Sequence, residues 1–212
     1  MTTTQVTTKR TKIPAHINDS VRGLENINAD SVDIPRLQLV QKQSEAIETH
    51  DVKPGDIINS ITGHNYGNSI HVCTFNYAEK FPIWKHFDHG GGFVKHFDTL
   101  QEANAELVHM EPADHYYVRD TSVYGVLIID PKTGEFENSP ALIEMVSSNR
   151  PVARKWNSQI LAKQLDRFAC IWKVESVTKS NAKYKTLQVT EAGFTPEAAY
   201  KAAEELYKQH SN

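Results

Sequence analysis

An α+β protein, mainly β, is what the sequence predicts: a five-stranded Greek-key barrel of the OB type with an inserted helix and a C-terminal helix. Three observations point there. Runs rich in β-branched and aromatic residues recur between turn signals. One amphipathic helical stretch precedes the last two of these runs, where the OB order places its helix. Two further helix starts carry capping signals. A generic α+β sheet with helices on one face would give the same order of elements.

The elements follow along the chain. Residues 1–30 are Thr-rich and polar and read as a flexible N-terminal arm. The OB-like domain is expected over 31–194, with 195–212 as the terminal helix. IPRLQLVQ alternates Ile34, Leu37 and Leu39 with polar residues after a proline, so it reads as a lead-in strand. KPGD is a turn and DIINSITG the next strand. SIHVCTFNYAEKFPIW is a long strand in which Pro82 marks an edge or bend. GGGFVKHF is a short strand behind a glycine hinge, and Thr99 with Glu102 caps a helix running to about Val108. HYYVRDTSVYGVLIID is strand material, DPKTGE a hairpin turn and PALIEMVSS the returning strand. Val152, Trp156 and Ile160 recur every fourth residue after Arg150-Pro151, as on a helix face. CIWKVESV and KYKTLQVT are two strands joined by TKSNA, and Thr195-Pro196-Glu197 opens the last helix.

Bulk properties narrow the function. The chain of 212 residues is 39% hydrophobic and 23% charged, an ordinary globular composition. No apolar run reaches the ~20 residues of a membrane span, and the N-terminus lacks a secretory apolar core. Cys73 and Cys170 stand singly in strand-like stretches, which fits reduced thiols and a cytoplasmic setting. The net charge of −3 hides a segregation. Residues 99–145 are strongly acidic and residues 147–187 strongly basic, so a positive face and a pair of mutually attracting faces are both open.

WKHFDHGGGFVKHFDT, residues 84–99, concentrates the chemistry. His86, His89 and His96, with Asp88 and Asp98, offer metal ligands, but the spacing runs into three glycines and no cysteine or HExxH pattern joins them. A metal-dependent nuclease would have to use this cluster. HGGGF matches neither common phosphate-binding loop, and no GxSxG is present, so nothing compels an enzyme and no cofactor is implied.

Rings interleaved with cations suit single-stranded nucleic acid, where aromatic side chains stack on bases and cations follow phosphates. The expected stacking residues are Trp84, Phe87, Phe93, Tyr116 and Tyr117, with Lys85, Lys95 and Arg119 beside them. The expected backbone contacts are Arg150, Arg154, Lys155, Lys173, Lys179, Lys183 and Lys185. Trp156 and Trp172 sit among apolar neighbours and read either as core or as ligand-facing.

GLENINADSVDIPRLQLVQ, PGDIINSITG, Trp84 ahead of GGGFV, and FDTLQEA together resemble a family of small bacteriophage proteins that bind single-stranded DNA. The resemblance covers most of residues 23–175 and implies an OB-like fold, a role in phage DNA replication or recombination, and a host-cytoplasm setting. It implies single-stranded DNA as partner, with replication or recombination proteins as further partners. Self-association is compatible with the sequence. Such binders often end in an acidic tail; this chain ends YKQHSN, so either partner recruitment differs or the acidic 99–145 region takes that part. The rival reading is a protein–protein module, either a host-factor inhibitor or a minor structural component.

Overall fold

The structure is a computed structural model that describes residues 33–178 and 184–210. The expected arm over 1–30 lies outside them, as do Lys179 and Lys183.

The centre is an antiparallel five-stranded sheet in the order β10-β9-β3-β7-β8. Its strands are β3 (Ser69–Lys80), β7 (Thr121–Ile128), β8 (Ala141–Val146), β9 (Cys170–Thr178) and β10 (Lys185–Phe194). Both faces are covered, so the central strands read as nearly continuous apolar runs rather than alternating ones. On one face Val72, Tyr124, Val126, Ile143, Trp172 and Val189 pack with Ala153, Trp156 and Ile160 of α3 (Arg150–Lys163). On the other, Cys73, Phe75, Leu127, Ile129 and Ile171 pack with Ala199 and Ala203 of α4 (Glu197–His210).

The first face is built around aromatic rings. Tyr124 stacks on Trp156 at 4.2 Å, and Trp156 meets Trp172 edge-on at 6.2 Å. The Tyr124 hydroxyl donates to the Ala153 carbonyl at 3.0 Å, which ties sheet to helix. Both tryptophans are therefore core. Burial pushes the Cys73 thiol up to about 12, which makes it an inert core group.

The α+β, mainly β class stands; the closed barrel does not. β8 and β10 are the sheet edges and do not pair with each other. Instead the segment around β1 (Leu37–Leu39) spans between them. At one end the Leu142 N–H donates to the Pro35 carbonyl at 2.8 Å, and Arg36 bridges Leu142. At the other, the Gln41 side chain exchanges two hydrogen bonds with the backbone of Lys185, at 2.9 and 3.0 Å. β1 pairs with β2 (Ile57–Asn59), and this two-stranded piece covers the opening that a barrel would close with a ladder.

The strand material at 115–130 forms two strands. β6 (Tyr116–Val118) belongs to a small sheet, order β5-β4-β6, with β4 (Ile83–Lys85) and β5 (Phe93–Lys95). The interruptions at Phe81-Pro82 and at Arg119-Asp120 face each other, and pairing keeps its register across them. Lys80 lies opposite Thr121 and Ile83 opposite Val118. β3–β4 and β6–β7 are thus one long ribbon bent at its middle, with Pro82 supplying the bend. Its tip carries the inserted helix α2 (Leu100–Val108), N-capped by Thr99, which accepts the Glu102 N–H at 3.2 Å. A short helix α1 (Ala46–Thr49) completes the set, and no described helix is long and apolar enough to cross a membrane.

Gly125 is where the central sheet is tightest. A Cβ there would lie 2.7 Å from the Phe75 ring, at the bulge between Thr74 and Asn76. Gly125→Ala is expected to cost about 1–3 kcal/mol in urea unfolding, and Phe75→Leu in the same chain to recover part of that loss.

Candidate functional site: a ring-lined groove at the ribbon bend

Strand alternation builds the site. Lys80, Pro82 and Trp84 share one face of the first ribbon strand, Arg119, Thr121 and Val123 that of the second, and Leu142 and Glu144 that of β8. All of them line a groove of about 550 Å³, together with Phe93, His96 and Arg36. The groove opens on the same sheet face that α4 covers elsewhere.

The small sheet sorts its rings by register. Phe93, Trp84 and Tyr117 lie directly across from one another, so they form one aromatic row. Trp84 and Phe93 meet edge-to-face at 5.9 Å, and the Arg119 guanidinium lies 5.2 Å from the centre of the Trp84 ring. His86 packs on Tyr117 at 4.6 Å and extends the row. The adjacent row, Lys95, Ile83 and Val118, faces the other way. There α2 packs against β6, and Lys95 pairs with Glu106 of α2 at 3.3 Å. Lys85 and Tyr116 also belong to that back face, with the Lys85 ammonium 5.9 Å from the Tyr116 ring.

The glycine run is a conformational requirement rather than a close approach. Gly90, Gly91 and Gly92 have φ of 101°, 63° and 109°, and the space beside Gly90 and Gly92 is open. These angles return the chain so that the Lys85 N–H reaches the Gly92 carbonyl at 2.9 Å. They leave Phe87 at the tip, 91% exposed.

The cations of the groove are not the ones marked in the last third of the sequence. Arg36 donates to Glu144 at 2.9 Å, Lys80 to Asp98 at 3.1 Å, and Arg119 has no carboxylate partner among the described residues. The Lys80 hydrogen bond and charge hold the Asp98 carboxyl below its ordinary range. Arg36 and Lys80 lie outside the cation-rich last third of the sequence, so clustering of charge does not mark them. The period-two alternation of Lys80, Pro82 and Trp84 was the signal that marks Lys80.

Arg150 does reach the ribbon, but as a brace. It pairs with Asp120 at 2.6 Å and Glu79 at 3.2 Å and donates to the Ser122 hydroxyl. Burial would lower its pKa; the hydrogen bonds and charges of Asp120 and Glu79 outweigh that and hold it above the usual range. Arg154 and Lys155 are exposed on α3, away from the rings. On the β9–β10 hairpin Lys173 pairs with Glu175, and the Lys185 ammonium donates to Thr178 at 2.8 Å. The structure therefore gathers Trp84, Phe93 and Arg119 in the groove, sets Tyr117 beside Trp84 in the ring row, and leaves Arg150, Arg154, Lys155, Lys173 and Lys185 outside the groove.

The histidines are spread. His89 stacks on His115 at 3.4 Å, His96 lies 3.6 Å from Asp98, and His86 is on Tyr117. Among the described residues no three His, Cys, Asp or Glu side chains converge as a metal site requires.

Fold and site together define a mainly β protein with a bent ribbon that presents an aromatic, cation-rimmed groove. A family described as Pam3 phage gp34-like protein matches residues 6–212, and the chain belongs to that bacteriophage family. No curated protein and no solved structure matches it.

Removing the brace tests its assignment. Arg150→Ala is expected to cost about 2 kcal/mol of stability in chemical unfolding, since charged hydrogen bonds to Asp120, Glu79 and Ser122 are lost together. Arg154→Ala, on the same helix, is expected to change stability by less than about 0.5 kcal/mol.

Proposed function

We propose that this phage protein is a non-enzymatic, sequence-tolerant binder of single-stranded DNA that acts in phage DNA replication or recombination. The observation that carries the reading is the groove itself, where Trp84 and Phe93 stand edge-to-face beneath Arg119 with Arg36 and Lys80 at the rim. Rings of this kind stack on any base, and the guanidinium and ammonium groups meet the phosphates between them. The lining runs from Phe93 and Trp84 past Arg119 and Thr121 to Leu142 and Glu144, a path that an unpaired strand would follow. The rival reading, a protein-contact module, draws on the exposed Phe87 and Val94 at the ribbon tip. It expects a stable complex with a host protein and no affinity for oligonucleotides.

Tryptophan fluorescence separates the two. Trp156 and Trp172 are buried, so a DNA-dependent change in emission reports Trp84. Titration with oligo-dT is expected to quench emission, with an affinity that falls with salt at a log–log slope of roughly −0.7 per neutralised phosphate. Trp84→Phe is expected to abolish the signal while retaining binding by anisotropy of a labelled strand. Trp84→Ala is expected to weaken binding by about 1–3 kcal/mol. No binding at low salt overturns the reading.

A further inference from the structure

Beside the ring groove lies a second cavity, of about 400 Å³, running along residues 36–41 toward Val146 and Asn149. The two cavities share Arg36, Arg119 and Glu144. Glu144 is the only carboxylate lining either of them among the described residues, and it stands where they meet. Everything else charged in the lining is cationic.

The backbone around this junction is fixed while the side-chain pair is not. The Arg36 N–H donates to the Ser60 hydroxyl at 2.9 Å, and its carbonyl accepts the Ser60 N–H at 2.9 Å. The Arg119 N–H donates to the Pro82 carbonyl at 2.8 Å. The two guanidiniums are therefore delivered to the junction by ordered backbone. The Arg36–Glu144 pair, by contrast, has side chains 51% and 39% exposed, a setting in which water and salt make an ion pair weak and exchangeable. A guanidinium fork accepts a phosphate in the same geometry as a carboxylate.

Resting on the reading above, we propose that the two cavities form one continuous track for single-stranded DNA, and that Glu144 is an internal competitor at its midpoint. A phosphodiester takes the place of the Glu144 carboxylate on Arg36, with Arg119 facing the same phosphate. The freed carboxylate then stands beside the bound strand and repels it. The device limits affinity and shortens residence, which suits a protein that must yield its strand to polymerases or recombinases.

The test is Glu144→Gln in the full chain, which keeps the shape of the side chain and removes its charge. Oligo-dT of increasing length is titrated at several salt concentrations, with dissociation followed by competition. Glu144→Gln is expected to tighten binding of longer strands about three- to fivefold at low salt, to slow dissociation, and to converge with the unaltered protein at high salt. The gain is expected to be smaller for strands too short to cross the junction. Arg36→Gln added to Glu144→Gln is expected to remove it. Glu135→Gln, which makes the same change in net charge at the 130–135 hairpin turn, is expected to leave binding unchanged. If the unaltered protein binds but Glu144→Gln does not tighten, or if Glu135→Gln tightens equally, the competitor is overturned and DNA binding stands. If neither protein binds, both readings fail together.

Discussion

The pairing of residues 72–85 with 116–128, of constant register beyond the bulge at Thr74/Asn76, holds the rest of the structure in place. Its inner half, β3 with β7, is the middle of the five-stranded sheet and carries both cores. Its outer half, β4 with β6, is the middle of the small sheet and carries the rings. Because antiparallel partners face the same side, a slip of β4 by one residue would send Trp84 to the α2 side, away from Tyr117, and Ile83 to water. The bulge at Thr74/Asn76, filled by the Phe75 ring over Gly125, penalises such a slip.

A bend in a two-stranded ribbon is a weak point, since paired strands alone resist flexing poorly. Here three groups hold it. Pro82 removes a donor and fixes its own φ. The Pro82 carbonyl accepts the Arg119 N–H across the gap. Arg150 arrives from α3 and joins Glu79 on one strand to Asp120 and Ser122 on the other. Arg150 of the basic segment thus meets Asp120 of the acidic one at the ribbon, while Lys163 and Lys173 pair with Glu191 and Glu175 instead. Arg119 sits one residue from Asp120 on the opposite face, turned toward Trp84 and free of any carboxylate among the described residues.

Much of the fold was legible because local signals coincide with element ends. The Thr99 cap, the Asp130–Glu135 turn, the Val152–Trp156–Ile160 stripe and the Pro196 start all mark real boundaries. Two features were not legible. Barrel closure depends on whether two edges meet, and no local pattern around β8 or β10 reports that; the Gln41 side chain and the Pro35 carbonyl occupy those edges instead. The break at Arg119-Asp120 carries no proline or glycine, and it follows from Pro82 on the opposite strand. Of the candidate site, the rings around the glycine run were visible as residue types, while their partition between two faces needed the register of β4 against β5 and β6. The groove cations Arg36 and Lys80 stand apart from the clusters of positive charge, Arg36 between Pro35 and Leu37 and Lys80 between Glu79 and Phe81, so the density of cations along the chain does not mark them.

The chain leaves the ribbon at Lys85 and returns at Tyr116, and these two residues are cross-strand partners. Everything between them is consequently a cassette with adjacent ends, grafted onto a hairpin that already closes on itself. Its first part is itself a strand of the small sheet, since β5 pairs with β4 and the Phe81 N–H donates to the Phe97 carbonyl at 3.0 Å, so it is the stretch beyond Asp98 that can change without touching a ladder. A changed outline there alters what the tip touches without altering the pairing that sets the rings.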